Sequence, residues 1–118
     1  MDEKFFGTAS SDLAKERYVP VSHNTRKENI LLGVNTSEIF YSDPKLLGFV
    51  ASKHKFVGKM LEGSSEVLEI GCMDGFGSAI VSSFVDKLLS IDFYRSHIEQ
   101  AEQAFGKRLT NVEFKGMD

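Results

Sequence analysis

The chain has 118 residues, enough for a single domain or a portion of a larger one, and its 42% hydrophobic and 26% charged residues are the make-up of an ordinary globular protein. A net charge of −3 offers no basic footprint, so nucleic acid held through its phosphates is not an expected partner. No apolar stretch reaches bilayer-spanning length, no leader pattern opens the chain, and a lone cysteine, Cys72, excludes an internal disulfide framework; a membrane is therefore not expected, and a reducing cytoplasm is.

Residues 1–42 are polar and weakly periodic, with only short apolar patches such as Ile30-Leu31-Leu32 between RYVP, NTRKEN and the following residues. They read as an irregular N-terminal arm or lid with little core of its own. Ser42-Asp43-Pro44 then marks a helix start, a capping acceptor followed by proline at the first helical position. Leu47, Val50, Ala51, His54, Val57 and Leu61 follow at helical spacing, which predicts a helix over about 44–61, closed by Glu62-Gly63-Ser64-Ser65. His54, on that apolar face, is expected to pack rather than to react.

From there the rhythm changes. Val67-Leu68-Glu69-Ile70 reads as a short strand ending at Gly71, and a helix entered at the glycines continues from Ser78 to Phe84. Lys87 to Ile91 is a second strand, ending in Asp92. Ser96-His97-Ile98-Glu99 has the pattern of a capping box, with Ser96 as N-cap. The helix it opens turns Ile98, Ala101 and Phe105 inward and stops at Gly106; Val112 to Lys115 is a third strand. Alternating β-α-β-α-β with short connections implies a parallel sheet, because each crossover helix returns the chain to the same end. The expected fold class is α/β: a Rossmann-like sheet of strand order 3-2-1 over residues 43–118, preceded by the helix and the arm of residues 1–42.

Ligands of an open parallel sheet bind beyond the carboxyl ends of its strands. Gly71 to Gly77 follow the first strand, Asp92 the second and Asp118 the third. Glycines permit tight turns and close approach of the backbone to a ligand, and amides at the start of the next helix favour an anionic group. Asp92, 21 residues after Gly71, is suited to accept both hydroxyls of a ribose. The combination points to a nucleoside joined to a group bearing a carboxylate or phosphate. The dinucleotide fingerprint G-x-G-x-x-G fails, since from Gly71 its later positions fall on Met73 and Phe76, and from Gly75 the last falls on Ile80. A nicotinamide-dependent dehydrogenase stays only as a third option.

VLEIGCMDGFGS, followed by LLSIDF and NVEFKGMD, resembles the first three motifs of the class I S-adenosylmethionine-dependent methyltransferases, and SKHKFVGKMLEG resembles the helix that precedes the first motif in bacterial members acting on sugars or other small metabolites. The resemblance covers roughly residues 44–118. It implies that the backbone around Gly71, Cys72 and Gly75 faces the methionine part of S-adenosylmethionine and that Glu69 fixes the loop and the cofactor's ammonium. It gives Asp92 the ribose hydroxyls and Phe93 the adenine face, and it places Met117 and Asp118 at the adenine edge, with the Asp118 carboxylate accepting from the exocyclic amine. Met73 stands where the family has glycine. It would crowd the cofactor's methionine tail at positive φ and point away at negative φ.

The family fold has about seven strands and builds its acceptor pocket largely from the second half. The expectation is therefore the N-terminal, cofactor-binding half of a methyltransferase with a small-molecule or sugar-like acceptor; the alternative is a non-catalytic nucleoside-binding or assembly module, a truncated remnant. No catalytic base can be assigned: His23 lies in the polar arm, His97 in a first helical turn, both read as surface residues, and Cys72 has no histidine partner in sequence reach. Tyr18, Phe40 and Tyr41 are aromatic residues that either pack or line a pocket. No Cys/His cluster has metal-ligand spacing. The first strand, with Val67, Leu68 and Ile70 and no lysine or proline, would leave an apolar bare edge, so a homo-oligomer is expected.

Overall fold

The structure, a computed structural model, describes residues 29–117; the expectations placed on Tyr18, His23 and Asp118 fall outside them. In chain order the elements are α1 (Val34–Ser42), α2 (Pro44–Met60), β1 (Glu66–Ile70), α3 (Phe76–Ser82), β2 (Lys87–Asp92), α4 (Arg95–Phe105) and β3 (Val112–Gly116). The strands form one parallel sheet in the order β1-β2-β3, which is 3-2-1 counted from the β3 edge. Leu68 faces Leu89 in the first ladder, and Ser90 faces Phe114 in the second. Branched residues such as Val67, Ile70, Ile91 and Val112 suit the extended backbone, and the helix between each pair of strands makes the pairing parallel.

Strand alternation decides what is buried. Leu88, Ser90 and Asp92 of β2 and Phe114 of β3 lie on the covered face and are buried. There α4 lays Ala101, Ala104 and Phe105 in one cluster with Phe114 and Cys72, and Val81 of α3 joins Val85 and Leu88 in a second. Leu68 and Ile70, on the other face of β1, remain 55% and 70% exposed. α2 packs outside α3. The Phe84 ring occupies the space a side chain at Gly58 would need, and the His54 ring occupies that above Gly77. His54 Nδ1 donates to the Val50 carbonyl at 2.9 Å, so this histidine packs between helices, as its position predicts.

The start of α2 follows its sequence signal: the Asp43 carboxylate accepts from the Lys45 amide at 3.1 Å, and Pro44 takes the first helical position. Three local expectations are corrected. Val57 is not on the inward stripe; it is 41% exposed, and buried Gly58 takes the contact with Phe84. The arm is not irregular throughout, because residues 34–42 are helical. α1 has no cap of its own. Its first-turn amides are satisfied from elsewhere, Val34 by Gln100 Oε1 at 2.7 Å and Thr36 by Asp74 Oδ2 at 2.8 Å, so tertiary contacts supply what local sequence lacks. The capping box does not form either: α4 begins at Arg95 after Tyr94, with no side-chain cap. Asp92 Oδ1 instead accepts from the Tyr94 amide at 2.9 Å, and this charge-assisted bond starts the helix early enough to draw Ser96 inside it.

Candidate functional site

The loop from β1 to α3 is folded on itself. The amides of Gly71 and Cys72 both donate to the Ile91 carbonyl, at 2.8 and 3.0 Å, and that of Gly75 donates to the Cys72 carbonyl at 3.0 Å. These amides, expected to face a ligand, are already paired. Gly75 is required twice over: its φ is 86°, and a Cβ there would stand 2.9 Å from that of Ala101 and 3.1 Å from the Phe114 ring. Met73 also lies in the left-handed region, at φ 52°, so of its two possible conformations the protein adopts the strained one. Two contacts hold it. Its amide donates to Asp92 Oδ2 at 2.8 Å, and its sulfur accepts weakly from Asn35 Nδ2 at 3.6 Å.

Asp92 ends β2 with a carboxylate that is almost wholly buried. Oδ2 takes the Met73 amide; Oδ1 takes the Tyr94 amide and His97 Nδ1, each at 2.9 Å. Burial pushes its pKa up, but the two amides and the imidazole outweigh this and hold it below the usual carboxylate value of 3.8. Asp92 is thus first a fastener between the glycine loop and the start of α4. Glu69, on the neighbouring strand, is a second fastener. Its Oε1 accepts from Ser78 Oγ and, at 2.8 Å, from Ser90 Oγ, so that β1, β2 and α3 share one carboxylate. Cys72 is buried, and its thiol pKa is pushed up to about 12 by burial and by neighbouring Glu69 and Asp92. Burial and the raised pKa both disfavour the thiolate that a nucleophile needs.

A cleft of about 340 Å³ opens over the carboxyl ends of β1 and β2. Of the residues expected in a site, it brings together Gly71, Met73, Asp92, Phe93 and Met117. Glu69, Cys72 and Gly75 are not among its lining residues; they shape the loop from behind. Phe93 is 69% exposed and meets Tyr94 edge-on, with ring centroids 5.6 Å apart. The Met117 amide donates to the Asp92 carbonyl at 2.9 Å.

His97 is the residue the sequence reading missed: expected at the surface, it lines the cleft and bonds Asp92. Its placement five residues after the acid was the available signal, obscured by the capping-box pattern around it. Asp74 and Thr36 carried no signal at all. Both are buried, and Asp74 accepts from the Thr36 hydroxyl at 2.9 Å as well as from its amide. A side chain at Gly33 would strike Asp74, so α1 docks on the loop at a distance only glycine allows.

A larger hollow of about 570 Å³, lined in part by Lys87, Leu89, Asn111 and Glu113, lies at the amino-terminal ends of the strands, the end where ligands of parallel sheets do not bind. Among the described residues no group of three or more His, Cys, Asp or Glu side chains could hold a metal ion, and no helix is long and apolar enough to cross a membrane.

No protein-family model matches the chain, and no curated protein matches it by sequence. Solved structures do match. The N-methyltransferase NodS from Bradyrhizobium japonicum WM9, in complex with S-adenosyl-L-homocysteine, superimposes with a TM-score of 0.53 at 22% identity over 61% of this chain. The described residues have part of the class I S-adenosylmethionine-dependent methyltransferase fold. DhpI, in its S-adenosylhomocysteine complex, matches with a TM-score of 0.52 at 21% identity over 70% of the chain. The [4+2]-cyclase SpnF matches with a TM-score of 0.51 at 20% identity over 58%. The methyltransferase-fold match spans only 36% of NodS, 39% of DhpI and 27% of SpnF. A cyclase among these neighbours shows that the fold alone does not name a reaction.

Proposed function

We propose that the chain is the cofactor-binding portion of an S-adenosylmethionine-dependent methyltransferase with a small-molecule or sugar-like acceptor. The observation that carries this reading is the cleft itself: a glycine loop, an acid at the end of β2 and an apolar wall, converging where a parallel sheet receives its ligands. Met73, held at positive φ, narrows the room for the methionine end; the other residues lining the cleft fit such a cofactor. Apolar Ile70, Ile91, Phe93 and Met117 offer faces to an adenine; Asp92 Oδ2 keeps one lone pair for a ribose hydroxyl; and a Cβ at Gly71 would meet nothing within 4 Å, so the loop is open there toward the methionine part. Glu69 holds the loop in that shape through Ser78 and Ser90. When bound, the cofactor supplies an electrophilic methyl group on a sulfonium. The chain's own contribution is to bind and orient it, which can supply much of the rate of an in-line transfer.

Calorimetry with S-adenosylhomocysteine tests this. Saturable binding is expected, with no heat from NAD in the same titration. Silence at millimolar S-adenosylhomocysteine would sink the cofactor reading, and NAD binding would turn it toward a dehydrogenase. We also propose that the free edge of β1 pairs with a second copy of the chain, since Leu68 and Ile70 beside it are exposed.

A further inference from the structure

A ribose presents two neighbouring hydroxyls, and in this fold the acid closing β2 is placed to receive them. In this protein that acid is nearly spent. Asp92 Oδ1 has both lone pairs filled, by the Tyr94 amide and by His97 Nδ1, and Oδ2 has one filled, by the Met73 amide. A carboxylate offers about four acceptor positions, so one remains for two hydroxyls. Backbone carbonyls nearby are used as well: that of Ile91 accepts from Gly71 and Cys72, and that of Asp92 from Met117.

His97 has the missing acceptor. Its Nδ1 faces a carboxylate oxygen, which accepts, so whenever the ring is neutral its proton is on Nδ1 and Nε2 carries the lone pair. Among the described residues Nε2 has no hydrogen-bond partner, and since no fully buried side-chain nitrogen or oxygen there lacks one, Nε2 is at least partly exposed, on a residue that lines the cleft. The ring is held at both ends of its own geometry, by the 2.9 Å bond to Asp92 and by edge contact with Tyr94 at 5.3 Å between centroids. Apart from Asp92 and the Tyr94 phenol, the other side chains lining the cleft are apolar.

We infer that His97 is a binding residue for the nucleoside, its Nε2 accepting one ribose hydroxyl while Asp92 Oδ2 accepts the other. The inference rests on the nucleoside-binding reading above. It is tested by titrating the 118-residue chain with S-adenosylhomocysteine and with its 2′-deoxy and 3′-deoxy analogues. The wild-type protein binds the parent roughly 3- to 10-fold more tightly than either analogue, one hydrogen bond being lost in each. His97→Asn keeps a donor toward Asp92 and removes the Nε2 acceptor; in it one of the two preferences disappears and the other stays. A folded His97→Asn protein with both preferences intact overturns the inference while leaving the cofactor reading standing. So does a Tyr94→Phe protein that loses the preference His97→Asn retains. Absence of any wild-type binding sinks both. A readout independent of the variants is the nitrogen resonance of His97 Nε2 in the wild-type protein, which shifts toward the hydrogen-bonded position on adding S-adenosylhomocysteine; an unmoved resonance at saturation overturns the inference.

Discussion

Met73 holds a left-handed backbone conformation that costs a non-glycine residue on the order of 1–2 kcal/mol. Its amide bond to Asp92 Oδ2 is what makes that conformation worth adopting. Met73→Gly relieves the strain but enlarges the entropy of the unfolded chain, so its melting temperature should stay within a few degrees of wild type, whereas branched Met73→Val should lose about 2 kcal/mol. Equal melting of the two variants would show that φ at this position is not constrained. Asp92 carries the larger stake. Its depressed folded-state pKa means that it stabilises the fold above its unfolded value of 3.8 and that this stability is lost as pH falls through the folded value. Asp92→Asn should therefore melt roughly 10 °C below wild type at neutral pH, from a loss of about 2 kcal/mol. The gap should close in acid as the wild-type carboxylate protonates. A gap that is constant with pH would assign the loss to shape and not to charge.

Among elements, α1 is the one held entirely by others. Two protein groups, the Asp74 carboxylate and the Gln100 amide, cap it from outside, and the buried Asp74–Thr36 pair is its main anchor to the glycine loop. Asp74→Ala leaves the Thr36 amide and hydroxyl without their acceptor and should cost about 2–3 kcal/mol, against about 1 kcal/mol for Thr36→Val, which removes only the hydroxyl bond. Hydrogen exchange at the Val34 and Thr36 amides reports where that loss falls. Selective loss of protection in α1 in the Asp74→Ala protein is the expected result; uniform loss across the sheet would mean that Asp74 supports the core rather than the docked helix. Asn35 adds a second, weaker contact between α1 and the loop at the cleft, through the Met73 sulfur.

At the scale of the described residues, helices cover one face of the sheet and none covers the other. Parallel sheets are ordinarily covered on both, and the uncovered face here carries Leu68 and Ile70 beside the free edge of β1. The outer side of α2 adds Phe49, Phe56 and Met60, all more than half exposed. If a second copy pairs its β1 edge antiparallel about a two-fold axis, light scattering at tens of micromolar gives a dimer mass, and Leu68→Lys or Ile70→Lys shifts it toward the monomer. A cooperatively folded wild-type monomer at that concentration rejects the pairing.

The parallel α/β order was legible in the sequence because it rests on periodicity and punctuation: alternation of apolar runs with helical spacing, Asp43-Pro44 at one boundary, glycines at the loop. Such signals are local, and the backbone follows them when nothing distant competes. The position of Asp92 at the mouth of the sheet was legible for the same reason, as a strand end followed by a turn. What the carboxylate does there was not legible. Whether its lone pairs face a ligand or the protein depends on the Met73 and Tyr94 amides and the His97 ring, which converge on it only after β1, β2 and α4 have packed. The same holds for α1, whose helix has no cap in its own sequence and takes one from Asp74 and Gln100, 38 and 66 residues away along the chain. Hydrogen-bond partners separated so far leave no periodicity behind, and for them tertiary structure alone decides, because a buried amide or carboxylate must be satisfied by whichever group folding brings within reach.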